Sequence, residues 1–333
     1  MNLHKKPLII LFLVILLLGN ILAGILFGSV PLAFRDILRC LSGQDTTSTA
    51  SILITTVRVP RVLGGCLAGI GLASAGVILQ NVMNNSLASP NTIGVNSGAG
   101  FAVMLAMLVF PNQPSAIPAS AFTGALLTTL TIFLLSRLAD SSRTTIVLAG
   151  ITVSSFLTAG INAIKLLDTN ISINLTSFLM GSLSGLTLSK LMLPAGLITG
   201  AFLLSLVLVR PLNLLGLGDE IAGSLGLPVS QTRFVLLVLS SVLAGCVVSY
   251  AGLLSFVGLV VPHICRRLFG NDARFLLPCS ALLGGSFVLF CDLLGRVLFA
   301  PFELPAGILM SFIGGPFFLY LLLKKKGGRR VYA

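Results

Sequence analysis

Few ionisable side chains fall inside the apolar runs of this sequence, and these few are the first candidates for chemistry. Asp292 and Arg296 stand four residues apart, so a helix would bring them onto one face, where they can form an ion pair. A structural ion pair is the favoured interpretation. His263 lies near the inner end of its run, where a lone histidine is more often a packing residue than a proton carrier. Because no line of Asp, Glu and His crosses the predicted membrane, proton-coupled transport is disfavoured.

The sequence lacks the motifs of the common ATP-binding and hydrolytic sites. It contains no G-x-x-x-x-G-K-[ST] loop, so the chain does not itself bind ATP through a P-loop. It also contains neither G-x-S-x-G nor H-E-x-x-H. The six cysteines form no C-x-x-C pair and mostly lie in or beside apolar runs, which favours packing over a metal or redox site. The sequence therefore predicts no catalytic residue, no metal site and no cofactor on this chain.

The longest polar interruption in the second half of the chain covers residues 213–233. Asp219 can cap a helix start, and Glu220 follows in the first turn, where the helix dipole favours an anion. Gly226 can end that helix in a left-handed turn, and Pro228 can begin a second one. Helices of about two turns are too short to be stable alone in water. Two of them at a membrane surface predict a docking surface held by a partner, with a plain connecting loop as the alternative.

Composition places the chain in a membrane. Of its 333 residues, 56% are hydrophobic and 9% are charged, whereas soluble domains carry roughly 25% charged residues. Apolar runs of about 20 residues indicate helices and not a barrel. The net charge of +12 does not indicate a nucleic-acid partner, because the charges lie at the ends of apolar runs. No polar stretch can bury its own core, so we predict one all-α integral membrane domain over residues 1–333.

We predict ten transmembrane spans with both termini in the cytoplasm. The N-terminal run is longer than the roughly 7–15 apolar residues of a signal peptide and has no cleavage site after it, so it is the first span. Most of the 21 lysines and arginines then lie on the cytoplasmic side. Two halves of five spans have opposite orientations, which is the inverted-repeat plan of many transporters. The spans cover about residues 8–27, 57–80, 92–110, 117–137, 144–166, 191–209, 232–250, 253–268, 275–298 and 304–323.

Five motifs in fixed order carry a family resemblance. They are RVPRVLGGCLAGIGLASAGVILQ, NNSLASPNTIGVNSGAG, GDEIAGSLGLPV, GLLSFVGLVVPHICRRLFGNDARFLLP and ELPAGILMSFIGGPFF, and they extend from about residue 57 to about residue 320. Together they resemble the FecCD-type permeases, the membrane subunits of binding-protein-dependent ABC importers for iron-siderophore complexes, haem and cobalamin. The resemblance implies a fold like that of the cobalamin-importer permease, in the cytoplasmic (inner) membrane. It also implies a second permease copy, identical or similar, an ABC ATPase dimer that carries ATP and Mg, and an extracytoplasmic substrate-binding protein.

The resemblance assigns the coupling of ATP hydrolysis to the polar interruption. Its short helices would sit in a groove of the ATPase. The coupling residues would be Asp219, Glu220, Ala222, Ser224, Leu225, Gly226, Leu227 and Pro228.

The resemblance also assigns residues at the two membrane surfaces. Arginines at the outer ends of spans would receive acidic residues of the binding protein, although the residues alone favour snorkelling to the interface. These arginines are Arg58, Arg61 and Arg296. An inner gate would form from the loop after the second span and the turn before the fifth. Its residues would be Asn85, Leu87, Thr144 and Thr145.

The implied function is inward transport of an iron-siderophore or similar metal chelate, such as haem or cobalamin, driven by ATP hydrolysis on a separate subunit. The sequence departs from the family where Asn85 is followed by Ser86, because the family often has proline there. The stretch FLMGSLSGLTLSK lacks the tryptophan that relatives often carry. Both departures leave the substrate open. Two alternatives remain: an ion-coupled secondary transporter that acts without an ATPase, and a membrane scaffold that transports nothing.

Overall fold

A computed structural model describes residues 6–41, 48–91, 93–113, 115–138, 143–167, 175–176 and 178–326, and within these ranges it contains helices and turns but no strand. The predicted cytoplasmic termini, residues 1–5 and 327–333, lie outside the described ranges. The helices, numbered along the chain, are α1 (Lys6–Leu26), α2 (Phe34–Leu41), α3 (Thr49–Ile52), α4 (Val59–Val82), α5 (Val95–Val109), α6 (Ala116–Leu138), α7 (Arg143–Leu167), α8 (Leu188–Val207), α9 (Val209–Leu217), α10 (Asp219–Ser224), α11 (Val229–Ala251), α12 (Val257–Phe269), α13 (Ala273–Val297) and α14 (Ala306–Lys326).

Seven helices are long and apolar enough to cross a membrane, namely α1, the continuous segment Thr49–Val82, α6, α7, α8, α11 and α13. Two shorter apolar helices are α5 and the part Ala306–Tyr320 of α14, and α12 adds 13 residues. Each of the ten predicted spans coincides with one of these helices. The prediction of an all-helical membrane fold is therefore confirmed for the part of the chain that the structure describes.

The second span begins earlier than predicted. A π-helical turn, Leu53–Arg58, joins α3 to α4 and makes Thr49–Val82 one continuous segment. The serines and threonines of this stretch indicate a polar loop by composition. In the structure the Thr55 hydroxyl donates to the Ser51 carbonyl at 2.8 Å, and Thr56 bonds back one turn in the same way. This back-bonding satisfies the hydroxyl groups inside a helix, so the polar residues do not interrupt it.

The central helix of the bundle is α4, in which 19 of 24 residues are buried. It packs most extensively against α13 and also against α11 and α12. A Cβ atom built on Gly69 would lie 2.1 Å from the Gly284 carbonyl oxygen, and one on Gly76 would lie 1.9 Å from the Gly258 carbonyl oxygen. The backbones therefore touch, as expected where small residues allow membrane helices to approach closely.

Two short helices occupy corresponding positions in the predicted halves. Both α5 and α12 are the third membrane helix of their half. Each begins directly after a residue in the left-handed region, Gly94 at φ +74° and Phe256 at φ +64°. Short, interrupted helices in matching positions are typical of transporters built from inverted repeats.

The helix α13 separates the two predicted functional ends of the bundle. At its start, the Asn213 side-chain oxygen accepts from the Ala273 amide at 2.8 Å, while the Asn213 amide group donates to Asp272 at 2.8 Å. Its last turn carries Arg296. Because a helix rises about 1.5 Å per residue, α13 extends roughly 37 Å. The polar interruption and the predicted outer arginine therefore lie at opposite ends of the bundle.

Candidate functional site

The helix α10 is the short helix predicted inside the polar interruption. It begins after Gly218 and ends at Ser224, and the chain then turns at Gly226, whose φ is +82°. The Gly226 amide donates to the Gly223 carbonyl at 2.9 Å, and the Leu227 amide donates to the Ala222 carbonyl at 3.0 Å. A glycine in the left-handed region thus ends the helix, as predicted.

Two details of that prediction are wrong. The helix that follows Pro228 is not short, because α11 continues to Ala251 with no glycine turn or proline to interrupt it. The second short helix is instead α9, on the N-terminal side. Asp219 does not cap α10 either, because Gly218 holds the cap position and the Asp219 carboxylate points away to two arginines.

The residues predicted to couple to the ATPase form a mostly exposed surface at this end of the bundle. The exposed ones are Glu220, Ser224, Leu225, Gly226 and Pro228, whereas Asp219 and Leu227 are half-buried and Ala222 is buried. Two large apolar side chains stand out on this surface, Ile221 at 49% exposure and Leu225 at 61%. Ala222 is buried against the bundle, so the two apolar side chains beside it remain exposed on the surface.

Asp219 holds α10 against two membrane helices. Its Oδ1 atom accepts from Arg143 Nη2 at 2.8 Å, and its Oδ2 atom accepts from Arg233. Burial by itself would raise the pKa of Asp219, but the hydrogen bonds and charges of Arg233 and Arg143 outweigh burial and hold the pKa below its ordinary value. The carboxylate is therefore ionised at neutral pH and links the first turn of α10 to the start of α7 and to α11.

The predicted gate residues Asn85 and Leu87 lie in a tight turn after α4. The Ala88 amide donates to the Asn85 carbonyl at 3.0 Å, and the Asn85 side-chain oxygen accepts from the Leu87 amide at 2.9 Å. Asparagine thus stabilises the turn through its own side chain. Asn85 is exposed and Leu87 is half-buried.

The other predicted gate residues, Thr144 and Thr145, occupy the first turn of α7. Thr144 is exposed and Thr145 is half-buried. The two gate stretches meet beside them, because the Asn84 amide, oriented by its neighbours, accepts from Arg143 Nη1 at 3.2 Å and donates to the Gly216 carbonyl at 3.3 Å. The structure therefore brings the two predicted gate stretches, around residues 84–88 and 143–145, next to the polar interruption (residues 213–233), which we call the coupling segment.

The three arginines predicted for docking are buried at the opposite end, with exposures of 5% for Arg58, 4% for Arg61 and 2% for Arg296. Asp292 lies between two of them. Its Oδ1 atom is 3.0 Å from Arg61 Nη2, and its Oδ2 atom is 3.1 Å from Arg296 Nε. The ion pair predicted from the spacing of Asp292 and Arg296 is confirmed, but in the structure a third residue shares it.

The remaining arginine and an unpredicted glutamate complete this outer charge cluster, which consists of Arg58, Arg61, Asp292, Arg296 and Glu303. Arg58 donates to backbone carbonyls around the C-terminus of α1 at 2.6 to 2.7 Å. Glu303 accepts from Arg61 Nη1 at 2.6 Å and is 29% exposed. Each guanidinium thus has acceptors within the chain, but the buried Nη2 atom of Arg296 has no hydrogen-bond partner among the described residues. A carboxylate from outside would have to compete with the chain's own acceptors for Arg58 and Arg61.

Several residues of these sites were not assigned a role from the sequence, although most of them lie inside the five motifs. Glu303 is separated from Arg61 by 242 positions, and Asn84 becomes relevant only through its contact with Arg143. Arg266 is another, since it reaches Gln80 at 3.2 Å and Asn81 at 2.7 Å at the end of α4. One local signal was available: Arg143 directly precedes the predicted gate threonines.

Two cavities adjoin these sites. A polar cavity of about 500 Å³ opens beside the coupling segment, and its lining includes Gln80, Asn81, Asn84, Asn85, Arg266 and Asp272. An apolar cavity of about 400 Å³ lies beside α14, and its lining includes Leu179, Met180, Leu253, Ile308 and Phe312.

Known proteins resemble this chain over nearly its whole length. The sequence profile of the FecCD transport family matches residues 12–324. The Fe(3+)-citrate import system permease protein YfmE of Bacillus subtilis (strain 168) is 37% identical over 96% of each chain. The hemin transport system permease protein HmuU of Yersinia pestis is 36% identical over 99% of each chain. A solved structure of a metal-chelate type ABC transporter in an inward-facing conformation is 30% identical, has a TM-score of 0.83, and covers 96% of this chain and 99% of its own. The chain therefore belongs to the FecCD transport family.

Proposed function

We propose that this chain is the membrane-spanning permease subunit of a binding-protein-dependent ABC importer that moves a metal chelate into the cell. Its relatives YfmE and HmuU are named for the import of ferric citrate and hemin, and a solved relative is a metal-chelate type transporter. These names support a ferric chelate, with a ferric siderophore as the first candidate. ATP and Mg²⁺ bind to a separate ATPase dimer, and the chelate passes through without chemical change.

The exposed surface of α10 is the observation that carries this proposal. Ile221 and Leu225 present apolar side chains at the end of a membrane bundle, beside the carboxylate of Glu220. Full burial of such a side chain is favourable by about 1.5–3 kcal/mol, and these two side chains, which are about half exposed, would each gain about half of that. A groove on an ATPase would bury both side chains, and the ion pairs of Asp219 would pass a movement of α10 to the membrane helices.

The gate at the coupling end is formed by Asn85, Leu87, Thr144 and Thr145. The position of these residues supports this assignment. They lie in two stretches that meet beside α10, at the end of the bundle where a chelate would leave. Thr144 and Asn85 are exposed there. A second permease copy would supply the facing half of the gate.

The apolar cavity beside α14 supports a pathway between two permease copies. Phe312 is 73% exposed and Met180 is 42% exposed in the single chain. A second copy placed against this side would cover them and enclose the pathway. Apolar walls suit a large chelate that must slide through, because they make few directional contacts with it.

A substrate-binding protein docks at the outer charge cluster, where its acidic residues meet Arg58, Arg61 and Arg296. The cluster holds three guanidinium groups and two carboxylates, so one positive charge is unbalanced. This excess supports an acidic partner. Because all three arginines are buried, the partner carboxylates have to enter the cluster and cannot simply rest on its surface.

The protein crosses the inner membrane several times, and its coupling segment and both termini lie on the cytoplasmic side. Arg137, Arg210, Arg267 and Arg274 occupy the ends of helices on the same side as α10, which agrees with the excess of positive charge on cytoplasmic loops.

Purification of the chain from its native membrane in mild detergent tests this proposal. We expect it to bring an ATPase with a P-loop at about one copy per permease, and to bring a second permease copy. ATP-dependent uptake of ferric citrate or hemin by reconstituted vesicles would then identify the cargo. If the purified chain is alone and still moves a ferric chelate along an ion gradient without ATP, the importer proposal fails and a secondary transporter takes its place.

A further inference from the structure

Arg143 occupies the point where the coupling segment meets the predicted gate. It is the first residue of α7, directly before Thr144 and Thr145. Its Nη2 atom donates to the Leu215 carbonyl at 2.9 Å and to Asp219 Oδ1 at 2.8 Å. One edge of the Arg143 guanidinium thus contacts both α9 and α10, while the Arg143 backbone begins α7, the helix that carries the predicted gate threonines.

The second guanidinium edge faces the other gate stretch. With the Asn84 side-chain amide oriented so that its oxygen faces the arginine, Arg143 Nη1 lies 3.2 Å from that oxygen, and the Asn84 nitrogen donates to the Gly216 carbonyl at 3.3 Å. Asn84 adopts a left-handed φ of +45° and is the neighbour of Asn85. Both gate stretches are therefore attached to the coupling segment through one side chain.

The position of this arginine is unfavourable by local rules. A cation at the first residue of a helix faces the positive end of the helix dipole. The Asp219 carboxylate compensates for this, and it comes from α10 and not from α7 itself. The charge of Arg143 at the start of α7 is therefore stabilised only while α10 is in place. A movement of α10 would consequently change the environment of the first turn of α7.

We propose that Arg143 is a positioning residue that transmits the movement of α10 to both gate stretches. The proposal rests on the proposed function, in which α10 is driven by the ATPase. The planar guanidinium is required because it reaches acceptors on three elements at once, whereas lysine offers a single point charge.

Loss of Arg143 should leave α10 seated on the bundle. Asp219 retains its bond to Arg233, which is 3% exposed and lies on α11. Ala222 beneath α10 also stays buried. A variant without the arginine can therefore assemble with the ATPase and respond to nucleotide at α10, while the gate is no longer attached.

Hydrogen–deuterium exchange of the permease–ATPase complex, purified from native membranes, tests this proposal. Exchange is measured with and without ATP and orthovanadate at residues 219–224, 84–88 and 143–147. In the wild type we expect all three segments to respond to nucleotide. In Arg143→Gln, residues 219–224 should still respond, while the response of the two gate segments falls about tenfold, a typical strength for coupling between two sites.

Two further variants serve as controls. Arg210→Gln removes an exposed arginine at the same end of the bundle and should respond like the wild type. Arg143→Lys keeps the charge beside Asp219, so it should assemble even where Arg143→Gln does not, yet its gate response should still fall. A gate response of wild-type size in the lysine and glutamine variants overturns the role of Arg143 and leaves the importer proposal standing. If residues 219–224 of the wild type do not respond to nucleotide, both proposals are overturned.

Discussion

At the scale of single residues, the outer charge cluster shows how burial decides what a charge does. Asp292 is 1% exposed and lies between two buried guanidinium groups, whereas Glu303 is 29% exposed on the same cluster. A buried carboxylate that loses its charge leaves the arginines around it without a counter-charge in a medium that solvates them poorly. The two acids therefore differ in their contribution to stability although both contact Arg61.

Replacement of each acid by its amide tests that difference. We expect Asp292→Asn to lower the free energy of unfolding by about 3–5 kcal/mol, as for a broken buried ion pair. Glu303→Gln should cost about 1 kcal/mol, the upper end of the range for exposed pairs, because solvent reaches the Glu303 side of the pair although Arg61 is buried. Thermal unfolding of the purified permease in detergent measures both, and equal losses in the two variants would contradict this account.

The cluster also shows what spacing can and cannot predict. The ion pair of Asp292 and Arg296 could be predicted from the sequence, because helix geometry alone brings residues four positions apart together. The burial of Arg58 did not follow, because its acceptors are carbonyl groups at the end of α1 and just after it, which become neighbours only after folding. Charges near span ends indicate the membrane surface in general, but their partners are set by tertiary packing.

At the scale of elements, the turn after α10 depends on the conformation of one glycine. Gly226 adopts φ +82° with open space around the position of a Cβ atom, while Gly223 has the same open space in regular helix. A substitution at Gly226 is therefore opposed by backbone conformation and not by a clash. Asparagine tolerates the left-handed region, whereas a β-branched residue does not.

We expect Gly226→Val to uncouple ATP hydrolysis from transport, because the altered turn displaces α10 from its partner. Gly226→Asn should retain most of the coupling, and Gly223→Val controls for added bulk on the same surface. The ratio of chelate transported to ATP hydrolysed in reconstituted vesicles is the measurement. Normal coupling in Gly226→Val would show that the left-handed turn is dispensable.

The contact between α4 and α13 is the second element-scale feature with a testable consequence. A single methyl group on Gly69 would lie 2.1 Å from the Gly284 carbonyl oxygen, whereas one on Gly200 would meet nothing within 4 Å. Gly69→Ala forces the helices apart and should destabilise the permease by about 1–3 kcal/mol, as overpacking does. Gly200→Ala should not, and thermal unfolding in detergent distinguishes the two.

The glycines also illustrate how far the sequence leads at this scale. Small-residue runs such as GCLAG and GLASAG in the second span are typical of closely packed membrane helices, and in the structure this span makes such contacts. The sequence did not identify which helix would make the contact, because any glycine-rich partner satisfies the pattern. The same limit applies to α9 and α10, for which the sequence predicted two short helices but placed the second one on the wrong side.

At the scale of the whole molecule, the proposed topology places the coupling surface and the outer charge cluster on opposite sides of the membrane. Ser224 is exposed on α10, and Phe302 is 79% exposed beside the outer charge cluster. A membrane-impermeant maleimide should label Ser224→Cys only in inside-out vesicles and Phe302→Cys only in intact cells or spheroplasts. Labelling of both from one side would contradict the proposed topology. Cys246, Cys265, Cys279 and Cys291 are buried, whereas Cys40 and Cys66 are half-buried, so the labelling of each variant is compared with that of the unsubstituted chain.

Glu303 gives the outer surface a further property. Burial alone would raise the pKa of Glu303, but its hydrogen bonds with Arg61 and Ser29 hold the pKa below its usual value. The Arg61–Glu303 pair is therefore intact above the ordinary pKa of a glutamate and is lost only as the pH falls through the lowered one. A binding protein that offers its own carboxylate to Arg61 would exchange one ion pair for another and would leave the number of pairs unchanged. Such an exchange of ion pairs would add little to the binding free energy. A binding protein held this weakly could dissociate readily after each delivery of substrate.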